Sequence, residues 1–199
     1  MSEVKKLEVV GSIKDGFSIG FKNIGPILVN LILWILTIWI PYLNVGTTIG
    51  MSVGIISKAS KGEVIPMTEI FNPLYRKYMG EYFLVSGLVS LGVCIGMVFF
   101  IIPGIIIAIA WYFAVLITID KGKNPSEAIA LSNNATYGNK GRMFAIILIL
   151  FIVSTVLVVL FGLLGEIAGI ILIVVAYFLF LLVFIGVTAS LYRQLTENI

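Results

Sequence analysis

Histidine is absent from this 199-residue chain, and cysteine occurs once, as Cys94. Without histidine there is no Ser-His-Asp triad, no imidazole to ligate zinc or copper, and no side chain that titrates near neutral pH unassisted. A single cysteine excludes an intramolecular disulfide. With apolar neighbours on both sides, it is expected to be a small buried hydrophobe. Charge is scarce as well, at 12% of residues, against roughly 25% in soluble domains. The shortage is uneven: residues 23–57, 82–119, 143–165 and 167–192 contain no Asp, Glu, Lys or Arg. A water-facing domain has no use for such runs. With 60% hydrophobic residues and a mean hydropathy of +1.13, the chain reads as an all-α, multi-pass membrane protein forming one membrane domain over residues 1–199.

The charge-free runs set the span count. A crossing helix needs about 20 apolar residues, or about 17 at the short limit. The first run divides at "PYLN" (41–44), the second at Pro103-Gly104 and the remainder around Glu166. Proline and asparagine favour such corners. Six spans are predicted, over 24–40, 43–58, 82–102, 104–119, 143–163 and 167–191. They form three hairpins. All 13 basic residues then fall on one side, including Lys5, Lys14, Lys22, Arg76, Lys77, Lys140, Arg142 and Arg193. Cytoplasmic loops concentrate Lys and Arg, so both termini are expected in the cytoplasm. The opening "MSEVKKLEVVGSIKDGF" lacks a long apolar run and a cleavage site, and reads as a mature terminus. The net charge of +3 reflects this topology and an attraction to anionic lipid, not a nucleic-acid partner.

Each cytoplasmic segment carries a short amphipathic stretch ahead of its hairpin. The first, from Ser12, places Ile13, Phe17 and Phe21 on one face. The second, from Thr68, has a stripe of Ile70, Phe71, Leu74, Tyr75 and Tyr78, with Pro73 kinking or restarting the helix. The third opens with Asn124 as cap, Pro125 in the first turn and Glu127 three residues on, and turns Ala128, Leu131 and Ala135 inward. These are expected to be interfacial helices on the cytoplasmic face. Ser12, Thr68 and Ser126 stand 56 and 58 residues apart, which suggests a threefold repeat over 12–67, 68–125 and 126–199.

Residues 50–54, "GMSVG", match the G-x-S-x-G spacing of a hydrolase nucleophile elbow. That elbow needs a strand-to-helix turn and a base for the serine. Ser52 sits inside a span, with no histidine in the chain and Lys58 on another helix face. The same residues read better as part of Gly46-x-x-x-Gly50-x-x-x-Gly54. Glycines four apart admit a second helix at close range, from this chain or from another subunit. Gly92 and Gly96 repeat the spacing, as do Gly104 with Ala108 and Gly186 with Ser190.

The remaining candidates carry little chemistry. Glu166 is the one acid on the outer side: a solvated turn carboxylate, or a cation-attracting group if several subunits ring a pore. Asn30, mid-span, is expected to bond between helices. The lack of mid-membrane charge argues against a proton-coupled pump. "NAT" at 134–136 falls on the cytoplasmic side, where a glycosylation sequon is inert. Trp39 and Tyr42 on one side, with Tyr78, Tyr82, Tyr137 and Tyr192 on the other, suit interfacial belts.

The stretch "FFIIPGIIIAIAWYFAVLITIDKGKNPSEAIALSNNATYGNKGRMFAIILIL" has a distinctive layout. A span ends in Pro-Gly. An aromatic-rich span follows, with Trp111, Tyr112 and Phe113, and closes on Asp120. A basic loop, Glu-Ala, a serine and a glycine-rich link lead into the next span. This resembles a group of uncharacterised prokaryotic six-span proteins allied to the membrane domain attached to some glycerophosphodiester phosphodiesterases. The resemblance implies a prokaryotic inner-membrane protein. It implies no reaction, because the enzymatic relatives keep their chemistry on a separate soluble domain.

The expected function is therefore non-enzymatic and without cofactor. In this reading Lys14, Lys22, Arg76, Lys77, Lys140 and Arg142 meet anionic headgroups, or dock another membrane protein or a second copy of the chain. The alternative is an oligomeric channel or facilitator for a small solute, its path lined by Thr47, Thr48, Ser52, Ser86, Ser90, Ser154 and Thr155.

Overall fold

The computed structural model describes residues 6–197 and Ile199, without the side chain of Glu166. Lys5 and the Glu166 carboxylate, which bear on orientation, lie outside the described residues. Every described element is helical. In order they are α1 (Val9–Lys22), α2 (Ile24–Thr37), α3 (Leu43–Ile49), a π-helical turn (Gly50–Gly54), α4 (Ile55–Lys61), a 3-10 turn (Glu69–Phe71), α5 (Pro73–Lys77), α6 (Met79–Phe99), α7 (Ile101–Ala110), α8 (Ala114–Asp120), α9 (Pro125–Thr136), α10 (Lys140–Gly162) and α11 (Glu166–Thr196).

Four helical stretches are long and apolar enough to cross a membrane: Met79–Phe99, Ile101–Asp120, Lys140–Gly162 and Ile167–Thr196. A fifth arises if α1 and α2, bent by 71° at Asn23, act as one broken span. These four cover the last four predicted spans. The first two differ. α2 ends at Thr37 after 14 residues, short of a crossing. The predicted corner follows, and Tyr42 takes φ 68° in it while Leu43 N–H donates to the Pro41 carbonyl at 2.8 Å. That is a γ-turn of the rare left-handed type, strained for a tyrosine. Residues 43–61 then form a helix whose glycines and hydroxyls give it too little hydropathy for a lipid-facing span. It buries Gly46, Thr47, Ile49, Gly50, Val53, Gly54, Ile55 and Ser57 in protein instead.

The three short amphipathic helices do not lie free on a surface. α1 buries Ser12, Gly16 and Gly20 against α11 and leaves Phe17 and Phe21 exposed. The contact with α11 is made by the small residues and not by the aromatic stripe, because close approach needs them. A Cβ on Gly16 would stand 2.6 Å from the Val187 Cα, and one on Gly186 would stand 2.0 Å from the Gly16 carbonyl oxygen. The 69–77 segment packs on residues 46–54, with Ile70 and Tyr75 buried and Leu74 exposed. α9 buries Ala128, Ser132 and Thr136 against the break between α7 and α8.

The outer surface is apolar. Phe83, Leu91, Ile95 and Val98 of α6 are exposed, as are Phe151, Ile152, Val153, Val156, Val159 and Leu160 of α10. In the first half of α11 the same holds for Ile167, Ile170, Ile171 and Val174. Helices apolar around most of their circumference belong in lipid. Cys94 corrects the sequence reading: it is exposed on this surface, because α6 packs through Val85 and Gly96 and turns Cys94 away. α11 has 31 residues, about 46 Å at 1.5 Å per residue, against a hydrocarbon layer of about 30 Å. Its excess lies in the Leu182–Tyr192 half, which is buried beneath protein.

Candidate functional site

The most polar point of the interior is where α4, α8 and α11 meet. The break that ends α7 aims α8 at this junction. Ser132 of α9 stitches the break, donating to the Ala110 carbonyl at 2.9 Å and accepting from Phe113 N–H at 3.1 Å. Thr136 donates to the same carbonyl at 3.4 Å. α8 then delivers Asp120 into protein, with only 5% of its side chain exposed. Ser57 and Lys61, one turn apart on α4, both donate to its Oδ1. Tyr192 of α11 donates to Oδ2 at 3.0 Å, and its ring rests on Phe113 at 5.6 Å between centroids.

A second buried carboxylate lies nearby. Glu69 accepts from the Tyr75 hydroxyl and stands 3.9 Å from the Lys58 ammonium. Burial, followed by the Glu69 contact, pushes the Tyr75 hydroxyl above its ordinary range. A pocket of about 210 Å³ separates the pairs, lined by Gly54, Ser57, Lys58, Lys61, Glu69 and Asp120 among others. Both buried carboxylates are already engaged by cations and hydroxyls, so the arrangement acts as a tie between helices. Among the described residues no three Asp, Glu or Cys side chains converge as a metal site.

The five glycines expected to pack, Gly46, Gly50, Gly54, Gly92 and Gly96, all meet close neighbours. A Cβ on Gly46 would stand 2.8 Å from the Arg76 stem, one on Gly50 2.6 Å from the Ile70 Cα, and one on Gly54 2.0 Å from the Tyr75 hydroxyl. The stripe therefore receives the 69–76 segment of its own chain. Gly92 faces the Trp111 ring and Gly96 the Cα of Gly104. Ser52 is exposed, and its hydroxyl donates to the Thr48 carbonyl one turn back at 2.7 Å. Among the described residues no acidic or basic side chain bonds to it. Asn30, fully buried, donates to the Pro26 and Pro66 carbonyls at 2.9 and 2.8 Å and accepts from Ile70 N–H at 3.1 Å. It anchors a loop rather than a second long helix.

The six basic candidates occupy three places: Lys14 and Lys22 on α1, Arg76 and Lys77 on α5, Lys140 and Arg142 at the start of α10. None makes an ion pair among the described residues. Lys140 donates to the Asn133 side-chain oxygen at 2.8 Å, and Arg142 reaches that of Asn139 at 3.4 Å. Lys58, Lys61, Lys123 and Arg193, by contrast, are all paired with carboxylates. Several hydroxyls expected along a solute path bond within their own helices, Thr47 and Ser52 among them. Ser154 and Thr155 bond back to the Phe151 carbonyl, and Ser52 opens sideways.

Two apolar grooves open on the flanks. One, of about 300 Å³, lies between α7 and α10 and is lined by Ile102, Ile105, Ile106, Ile109 and Phe144, with Gly141 and Lys140. The other, of about 320 Å³, lies between α2, the π-helical turn and α11, and includes Trp34, Thr48, Met51 and Ser52.

Ser57, Glu69, Asp120 and Tyr192 were not foreseen as a cluster. In the sequence Asp120 closes an aromatic-rich span and Tyr192 reads as an interfacial-belt residue, but the structure buries Tyr192 at the junction. Gly16-x-x-x-Gly20 is visible in the sequence as a packing motif but is masked by the neighbouring phenylalanines. Comparison with family models, with curated proteins and with solved structures finds no match to this chain.

Proposed function

We propose that this is a non-enzymatic, multi-pass protein of a prokaryotic cytoplasmic membrane that works by binding anionic lipid. The observation that carries the reading is the state of its cations. Among the described residues the six bases chosen from topology alone have no carboxylate partner, whereas Lys58, Lys61, Lys123 and Arg193 each pair with one. Unpaired lysines next to an apolar surface attract anionic headgroups, at about 1 kcal/mol for each Lys or Arg near the membrane.

In the same reading the chain makes six crossings with both termini cytoplasmic. The 43–61 helix is about 28 Å long at 1.5 Å per residue. Shielded by protein, it has no need of lipid-compatible side chains. The threefold repeat draws support from a cyclic pattern of packing. The short helix of each unit rests on the second long helix of the unit before it: α5 on α3–α4, α9 on α7–α8, and α1 on α11. Ser57, Asp120 and Tyr192 then come one from each unit and tie the ring at its centre. Kinship with the uncharacterised six-span family belongs to the same proposal.

The test is native mass spectrometry of the protein released from phosphatidylglycerol-containing discs. Wild type should retain the lipid. The variant with all six bases changed to Gln should lose it while keeping its helical circular dichroism. Equal retention by both sinks the lipid reading.

A further inference from the structure

We infer that the groove between α7 and α10 seats one acyl chain of an anionic phospholipid whose phosphate pairs with Lys140. This rests on the lipid-binding reading and narrows it to one site. Three features single the groove out. Its walls are four isoleucines and Phe144, of which Ile102 and Ile106 are 70% and 49% exposed, so the space opens sideways to lipid. At its rim stands an ammonium with three donors, one of them given to Asn133 and none to a carboxylate among the described residues. Gly141, next along, has no atom within 4 Å of where its Cβ would stand, which leaves room for a headgroup beside the lysine.

The other candidates lack this combination. The pocket beside Asp120 has its charges paired internally. The groove along Ser52 is of similar size, but Thr48 and Ser52 replace the cation, and the Trp34 indole is committed to the Thr48 hydroxyl at 3.0 Å. It serves as an internal control that should accept chains without regard to headgroup charge.

The experiment places the full chain in phosphatidylcholine discs doped with phosphatidylglycerol bearing a diazirine on its acyl chain. A matching phosphatidylcholine probe is run in parallel, and labelled peptides are mapped. The phosphatidylglycerol probe should label residues 102–109 and Phe144 in preference to the phosphatidylcholine probe. Lys140→Gln should lower that labelling about fivefold, the equivalent of roughly 1 kcal/mol, and Lys140→Arg should restore it. Ile106→Trp, which fills the groove and keeps the charge, should lower labelling by both probes there and nowhere else. Equal labelling by the two probes, or an unchanged signal in Lys140→Gln, overturns the site.

A variant with the other five bases changed to Gln separates the two levels. If it loses bulk phosphatidylglycerol while Lys140→Gln changes nothing in the groove, the site is wrong and lipid binding stands. If neither variant changes retention, both fail.

Discussion

The contact between α1 and α11 makes the sharpest prediction. Gly186 lies so close to α1 that an added Cβ would sit 2.0 Å from the Gly16 carbonyl oxygen and 2.8 Å from Gly20 N. Both are backbone atoms, which cannot swing aside as a side chain does. Gly186→Ala must therefore push the helices apart. Overpacking of this kind costs about 1–3 kcal/mol, and separation also loosens the Asp15 contacts with Ser190 and Arg193, both 2.6 Å long. Working against this, alanine in a helix interior stabilises by about 0.5–1 kcal/mol over glycine. Gly87 isolates that gain, since nothing lies within 4 Å of its would-be Cβ. The two variants should move in opposite directions in a thermal melt followed by circular dichroism in mild detergent, with Gly186→Ala lower than wild type and Gly87→Ala equal or higher. A Gly186→Ala protein that melts at or above wild type would mean that α1 does not pack on α11 at all.

Three further outcomes follow from single contacts. Asn30→Leu leaves Ile70 N–H and the Pro66 carbonyl buried without their partner, at about 1–3 kcal/mol each; its melt should fall well below that of wild type, and an unchanged melt would remove Asn30 from the core. The Tyr75 hydroxyl is held above its ordinary value of 10.0, so the folded state keeps that proton more tightly than the unfolded chain does. The resulting stability is whole below about pH 10 and is lost as pH rises beyond it. Tyr75→Phe should show a shallower loss of melting temperature between neutral and strongly alkaline buffer, and parallel curves would contradict the burial. Ser52, bonded to its own helix and without a base, should take up no more fluorophosphonate than Ser52→Ala; specific labelling would revive the hydrolase motif.

Much of this protein follows from composition and spacing. Four of the predicted spans are long apolar helices because charge-free runs of that length have no other low-energy home. A corner falls at Pro41, and the second falls at Phe100, three residues before the predicted Pro103, which sits in the first turn of α7 where a missing backbone donor costs nothing. The cap at Asn124 is local, and its side chain does accept from Glu127 N–H at 2.9 Å. The glycine stripe at 46–54 announces a close approach of some kind, since nothing else explains three glycines four apart.

What approaches it could only be decided by the tertiary fold. Spacing says that a backbone or ring must come near, and long-range packing selects Ile70, Tyr75 and Arg76 as the neighbours. The same holds for α1, whose Ser12, Gly16 and Gly20 meet α11 while Phe17 and Phe21 stay exposed. A glycine gains only by contact, since it lets two backbones approach closely. Asp120 is the clearest case. Along the chain it is the last residue of an apolar helix. Its role as a tie depends on Ser57, Lys61 and Tyr192, which arrive from two other helices, and no local pattern encodes a meeting among residues 59 to 72 positions apart.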